Sequence, residues 1–351
     1  MNKNLMIKGV ALGLILAFQG MGSDRIEACS RVQYTGNDGL VISGRTMDWQ
    51  EDLKSNLYIF PRGMERSGGL TSNSVKWVSK YGSMITAGYD IGTADGMNEK
   101  GLVANILFLK ESNYTRPNDT RPVLGISMWA QYVLDNFSTV KEAVSVLSKD
   151  AFQINAPELP NGIAARLHLA LSDPSGNNAI IEYKDGNIMI YEGPQYKVMT
   201  NSPFYFDQLA INEYWTQVGG LNMLPGTNRA TDRFARASFY IGVLPKTAEQ
   251  QQGVAGVFSV LRNVSVPLGI KTADQPNIAS TIWRTVCDQK NMKYYYESTL
   301  SPNVFWVDFK DVDFSPAGGV RKLALTDGEI YAGNAASKFV KAPAFEFLLG
   351  K

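Results

Sequence analysis

The chain has 351 residues, 44% of them hydrophobic, with 34 lysines and arginines against 33 acids. A net charge of +1 without basic clusters excludes a protein that binds nucleic acid by neutralising phosphates. That length supports a sizeable core, and no Pro/Gly/Ser-rich linker, charge block or short-period repeat divides it.

Residues 1–28 read as a removable leader, followed by one domain over 29–351. Lys3 and Lys8 come first, then the apolar run 10–18 (VALGLILAF). That run is too short for the roughly 20 residues that span a bilayer, so export without stable membrane insertion is expected. Ala28 is a cleavage-compatible residue directly before Cys29. Two other routes stay open. Cleavage near Gly22-Ser23 with later self-removal of Ser23 to Ala28 also frees Cys29. Lipidation at Cys29 would instead give an anchored binding protein with a blocked terminus. Asp24, Arg25 and Glu27 speak against it, because lipidation wants small uncharged residues abutting the apolar run.

Strands are expected at 31–34, 39–45, 56–60, 75–78 and 102–108. Helical patterns follow at 125–136 and 139–149, the second capped by Ser138. Strands return at 167–172, 179–183, 187–191 and 197–200, with Asp185-Gly186 as a hairpin turn. Helices are expected at 204–218, 232–241 and 248–262, and closing strands at 281–288, 293–298 and 304–309. Strands and helices arriving in blocks suit two packed sheets flanked by helices, an α+β arrangement, and not a doubly wound parallel sheet.

If the leader ends at Ala28, Cys29 carries a thiol and a free α-amine on one residue, a nucleophile with its own base. An α-amine titrates near 7.7–8.0 in model peptides, well placed for general-base work. Arg45 and Asp48 lie in the run Gly44-Arg45-Thr46-Met47-Asp48-Trp49, where a strand and turn would return them to Cys29. There a guanidinium would favour the thiolate and a carboxylate would orient the amine; as spacing alone, the pair also reads as a surface ion pair. Alternatives are few. His168 is the single histidine and sits in an alternating strand pattern, where a hydrogen-bonded sheet residue is the plainer reading. One histidine and two distant cysteines do not make a zinc site, and neither a phosphate loop nor a GxGxxG fingerprint occurs. Cys287 lies in a strand-like run; a Cys29–Cys287 disulfide is open to an exported chain, but it would consume the nucleophile.

The run Cys29-Ser30-Arg31 with Gly44-Arg45-Thr46-Met47-Asp48 resembles the start of the choloylglycine hydrolase family of N-terminal nucleophile hydrolases. The likeness continues through Asp95-Gly96-Met97-Asn98-Glu99-Lys100-Gly101-Leu102, Thr200-Asn201-Ser202-Pro203, and Leu224-Pro225-Gly226 leading to Asp232-Arg233-Phe234. It reaches Asp288-Gln289-Lys290-Asn291 and Tyr294-Tyr295-Tyr296, and so covers nearly all of the mature chain. It implies a four-layer αββα sandwich of two antiparallel sheets. It also implies Cys29 as nucleophile, Asp48 as partner of its amine and Arg45 steadying the thiolate. Asn201 would donate its side-chain amide to the oxyanion, with the Phe108 backbone N–H beside it, and Arg233 would complete the polar network. Phe108 stands where many relatives have Asn or Tyr. No metal or organic cofactor is implied.

The resemblance further implies amide hydrolysis through a thioester. Bile salt conjugates of glycine or taurine are the first expectation, since the leader and the GRTMDW run look most like Bacteroides-type bile salt hydrolases. Penicillin V or acyl-homoserine lactones are alternatives on the same scaffold. Met47, Trp49, Tyr89, Leu107 and Phe108, with parts of residues 155–163, are candidate pocket residues. The stretch between Asn201 and Arg233 is shorter than in Gram-positive relatives. That suits the exported, periplasmic or secreted enzymes of Gram-negative bacteria, as a homo-oligomer (dimer or tetramer).

Overall fold

A computed structural model describes residues 28–272, 278–301 and 303–350. The leader, apart from Ala28, lies outside the described residues. The chain begins with a hairpin of β1 (Ser30–Thr35) on β2 (Val41–Trp49), in the register Ser30↔Thr46 and Arg31↔Arg45. All nine residues of β2 are buried, charged ones included. A strand buried on both faces must lie in the middle of a layered structure.

Among the described residues two large sheets account for this. The first has seven strands in the order Val198–Met199, β1, β2, Ser280–Asp288, Lys293–Ser298, Val304–Asp308, Gly333–Asn334. The second has nine, in the order Asn187–Glu192, Asn178–Lys184, Leu167–Ser172, Val103–Phe108, Gly92–Asn98, Ser83–Gly88, Leu57–Phe60, Arg321–Leu323, Val340–Lys341. Every pairing is antiparallel except that of Val304–Asp308 with Gly333–Asn334.

Helices α1 (Trp129–Asn136) and α2 (Val140–Leu147) cover the outer face of the second sheet. Helices α4 (Ala230–Val243) and α5 (Gln250–Asn263) cover the first, and α3 (Tyr205–Val218) packs beside α4. This is an αββα sandwich. One hydrophobic cluster runs from α4 and α5 through the first sheet into the space between the sheets; a second fills the gap between the other sheet and α1 and α2.

Two expectations need correction. The cap of α2 is Thr139, extended at φ −136° and accepting the Glu142 N–H, and not Ser138. Ser138 instead donates its N–H and hydroxyl to the Glu142 carboxylate, a reciprocal pairing displaced by one residue. Strands Ser83–Gly88 and Gly92–Asn98 were not expected, because their small residues carry weak strand propensity. Their glycines serve packing instead: a Cβ on Gly96 would come within 2.8 Å of Ile85 and 2.9 Å of Leu134, where α1 closes on the sheet. The Asp185-Gly186 turn has both residues at positive φ, 49° and 77°, between strands paired at Lys184↔Asn187.

Candidate active site

Strand alternation sorts the residues around Cys29. On β2, Gly44 faces α5, where a Cβ would sit 2.9 Å from Val257 and Leu261, so Thr46 and Asp48 share that helix side. Ser43, Arg45 and Met47 face the other sheet, and Ser43 Oγ meets Ser172 Oγ across the gap at 2.6 Å. Cys29, one residue before β1, falls on that inner face at the end of the hairpin. Its Sγ accepts from the Asp48 backbone N–H and from Arg45 Nη2, each at 3.5 Å.

Arg45 is fully buried yet well satisfied. The pairing of Gly92–Asn98 with Val103–Phe108 ends at Asp95↔Asn105, and the guanidinium enters where those strands part. Its Nη1 donates to Ala94 O and Ile106 O, both at 2.8 Å, and its face lies 5.0 Å from the Trp283 ring centroid. The charge is thereby fixed against the sulfur. It opposes, but does not outweigh, burial, which pushes the Cys29 thiol up from its ordinary range.

Asp48 is aligned with Thr281 on the next strand, whose hydroxyl donates to Oδ1 at 2.6 Å. Its other oxygen, Oδ2, is buried with no partner. Burial raises this carboxyl to about 6, although Arg233, Thr281, Thr46 and Arg45 pull the other way. Asp48 therefore touches the sulfur through its backbone and holds one carboxylate oxygen in reserve.

Asn201 and Arg233 bind the main chain of Cys29. Cys29 N–H donates to Asn201 Oδ1 at 2.7 Å, and Arg233 Nη2 donates to the same oxygen at 2.8 Å. Arg233 Nη1 donates to Cys29 O and, at 2.7 Å, to Ser30 Oγ. With two donors on Oδ1, the amide orientation of Asn201 is unambiguous, and Nδ2 donates to Phe108 O at 2.8 Å. Arg233 is a buried residue reaching inward from the first turn of α4, not an exposed one. The Leu109 N–H donates to Arg166 O, so alternation along that strand turns the N–H and C=O of Phe108 to the opposite edge, where Asn201 meets the C=O.

An apolar cleft opens beside Sγ. Met47, Trp49, Tyr89, Leu107 and Phe108 line it, and Leu159 is the one contributor from residues 155–163. The Trp49 and Phe108 ring centroids are 6.1 Å apart, and Trp49 Nε1 donates to Tyr89 Oη at 2.8 Å. Sequence reasoning missed Ile91, Ser127 and Leu348. Ile91 comes from the turn at 89–91, Ser127 from a 3-10 helix and Leu348 from the C-terminal segment, and none of them lies in a motif.

Two further residues end up away from the chemistry. Both cysteines are free, and Cys287 is buried in strand Ser280–Asp288, opposite Ser43 and Tyr294. His168 is buried with Nδ1 3.0 Å from Glu182, whose carboxylate accepts the Tyr205 N–H at the start of α3; its Nε2 has no partner.

The model of a family described as linear amide C–N hydrolases, choloylglycine hydrolase family, matches residues 29–321 and so begins at Cys29. A penicillin V acylase of Pectobacterium atrosepticum is 46% identical, with 98% of each chain covered. The solved structure of a penicillin V acylase from Agrobacterium tumefaciens superposes with a TM-score of 0.85 at 54% identity, covering 92% of this chain and 100% of that one. A bile salt hydrolase/transferase of Clostridium perfringens is 27% identical over 76% of this chain and 88% of its own.

Proposed function

The chain belongs to the choloylglycine hydrolase family of linear amide C–N hydrolases, and we propose that it releases an amine from an aryloxyacetyl amide of the penicillin V type, with Cys29 as its first residue. The observation that carries the reading is the cleft at Sγ, walled by Trp49 and Phe108. The two rings pack on each other at 6.1 Å between centroids and together present an aromatic wall, on which an aromatic acyl group can add a further offset or edge contact. The relatives at 46% and 54% identity, both penicillin V acylases, support the same choice. Conjugated bile salts, the first expectation from motif likeness, become the second reading, supported by the relative at 27%.

The reaction begins with removal of residues 1–28. The freed α-amine takes the Sγ proton, and this transfer answers the burial that holds the thiol protonated. Asp48 Oδ2, unpartnered while Ala28 is attached, accepts from the amine, and Asn201 Oδ1 keeps its contact with the same nitrogen. The thiolate, held by Arg45 and the Asp48 N–H, adds to the amide carbonyl. The oxyanion is received by the Phe108 N–H and by the second hydrogen of Asn201 Nδ2, the first being committed to Phe108 O. One donor of this kind is worth about 3–4 kcal/mol in other hydrolases. The ammonium returns its proton to the leaving nitrogen, and the C–N bond breaks to leave an Sγ thioester. The same amine then deprotonates water, which attacks the thioester, releases the acid and restores the thiol.

The test is amine release by purified protein lacking residues 1–28, with penicillin V run beside glycine- and taurine-conjugated bile salts. Release from penicillin V is the expected result, and release from bile salts alone would transfer the assignment to them. Cys29→Ala loses at least a thousandfold in kcat; retained turnover would end the mechanism. Export to the periplasm and assembly as a homo-oligomer complete the proposal. Mass analysis of the first residue and sedimentation of protein recovered from the cell envelope check both.

A further inference from the structure

The family match stops at residue 321, but the chain continues and returns to the cleft. Ala342 N–H donates to Val320 O at 2.9 Å, which starts residues 342–350 along the outer side of the second sheet. Phe345 and Phe347 then pack on the Phe60 ring, at 5.5 and 6.3 Å between centroids. Phe345 also meets Tyr58 edge-on at 4.8 Å, and the Arg66 guanidinium lies 5.2 Å from the Phe347 centroid.

Those contacts deliver Leu348 to the rim of the cleft, and both of its backbone polar groups are held there. Its N–H donates to Ile91 O at 2.8 Å, and its C=O accepts from Ser127 Oγ at 2.7 Å. The two anchors come from segments far apart in sequence that lie side by side at the rim, where a Cβ on Gly92 would stand 3.2 Å from Ser127 Cβ. Ile91 belongs to the turn that carries Tyr89, and Ser127 to the short 3-10 helix Ile126–Met128 that leads into α1. Phe345, Phe347 and Leu349 pack on the core side, and Leu348 between them lines the cleft together with Cys29, Trp49 and Phe108. A leucine pinned on both sides of its own peptide is a fixed wall, not a loose end.

We propose that Leu348 is a specificity-determining residue: the C-terminal strap places it to set the size of the acyl group that reaches Cys29. This rests on the reading of the cleft as the acyl site. It predicts that acyl choice in this chain depends on residues beyond the family domain, and that wide acyl groups are turned away at the strap. The Cys29 machinery would accept them.

The experiment measures kcat/KM for three p-nitroanilides with one leaving group and three acyl groups: phenoxyacetyl, straight-chain decanoyl and cholyl. Leu348→Ala is expected to raise the ratio of cholyl to phenoxyacetyl turnover about tenfold or more, and Leu348→Trp to lower it. A ratio taken within one variant cancels any loss of folded enzyme, so a purely structural role would leave it unmoved. Wild-type turnover with ratios unchanged in both variants overturns the proposal and leaves the cleft assignment standing. Wild-type silence on all three acyl groups overturns the cleft assignment itself, and the proposal with it.

Discussion

Burial and charge work against each other at Cys29 and Asp48, and Asp48 gives the contest a pH signature. Its folded carboxyl is raised to about 6 from an ordinary value of 3.8. The protonated form is therefore favoured by folding. The stability this confers is complete below pH about 4 and is lost as pH rises through 6. A gap of two units corresponds to roughly 3 kcal/mol. In protein expressed with Ala28 still preceding Cys29, urea melts should show stability falling from pH 4 to 6, and Asp48→Asn should flatten that slope. An equal slope in the variant would mean that the reserve at Oδ2 has another owner. On the proposed mechanism, the same substitution in protein lacking residues 1–28 removes the amine's carboxylate acceptor and leaves it Asn201 Oδ1, so turnover should fall even where the fold gains.

Strand β2 shows how one element serves two faces. Arg45 and Met47 project toward the other sheet and the sulfur, and Gly44 lets α5 press onto the opposite side. A methyl at Gly44 would stand 2.9 Å from Val257 and Leu261 and 3.0 Å from Thr285 O, with a backbone carbonyl among the atoms that must yield. Gly44→Ala should cost about 1–3 kcal/mol by overpacking, read from denaturant midpoints. Because Arg45 is the next residue on the strand, the same shift should depress kcat. Loss of stability with kcat intact would show that β2 absorbs the strain without moving the guanidinium. The strand from Val103 to Phe108 is bifacial as well: Leu107 lines the cleft, and Phe108 turns its main chain toward Asn201.

The sandwich as a whole is fastened by polar links across its middle. Tyr294 of the first sheet donates its hydroxyl to Asp95 of the second, which also receives Asn105 Nδ2. Arg31 crosses to Asn178 Oδ1 at 2.7 Å and Leu171 O at 3.4 Å, and Ser43 meets Ser172. Taking one donor from a buried carboxyl leaves an oxygen unsatisfied, so Tyr294→Phe should destabilise by about 1–3 kcal/mol. A thermal melt of the variant checks this, and an unchanged Tm would show that Asn105 alone satisfies Asp95. These links hold the sheets at the spacing in which Arg45, rooted in one, reaches the Ala94 and Ile106 carbonyls of the other.

Much of this was legible in the chain by itself. The order of blocks pointed to two sheets with flanking helices, because alternation and 3.6-residue periodicity are local properties. Short motifs singled out Cys29, Arg45, Asp48, Asn201 and Arg233, since each sits in a run of residues that resembles the family's. Local pattern could not show that Arg233 turns inward from α4, because an arginine in a helix's first turn reads as exposed until the layer beneath it is known. Nor could it show that His168 pairs with Glu182 away from Cys29, which depends on which strands become neighbours. Ile91, Ser127 and Leu348 meet at one rim from three distant parts of the chain. The sequence by itself determined most of the elements, the candidate residue Cys29 and the class of chemistry. Only tertiary structure decided the shape of the cleft beside Cys29, because a cavity is enclosed by contacts between residues far apart in the chain.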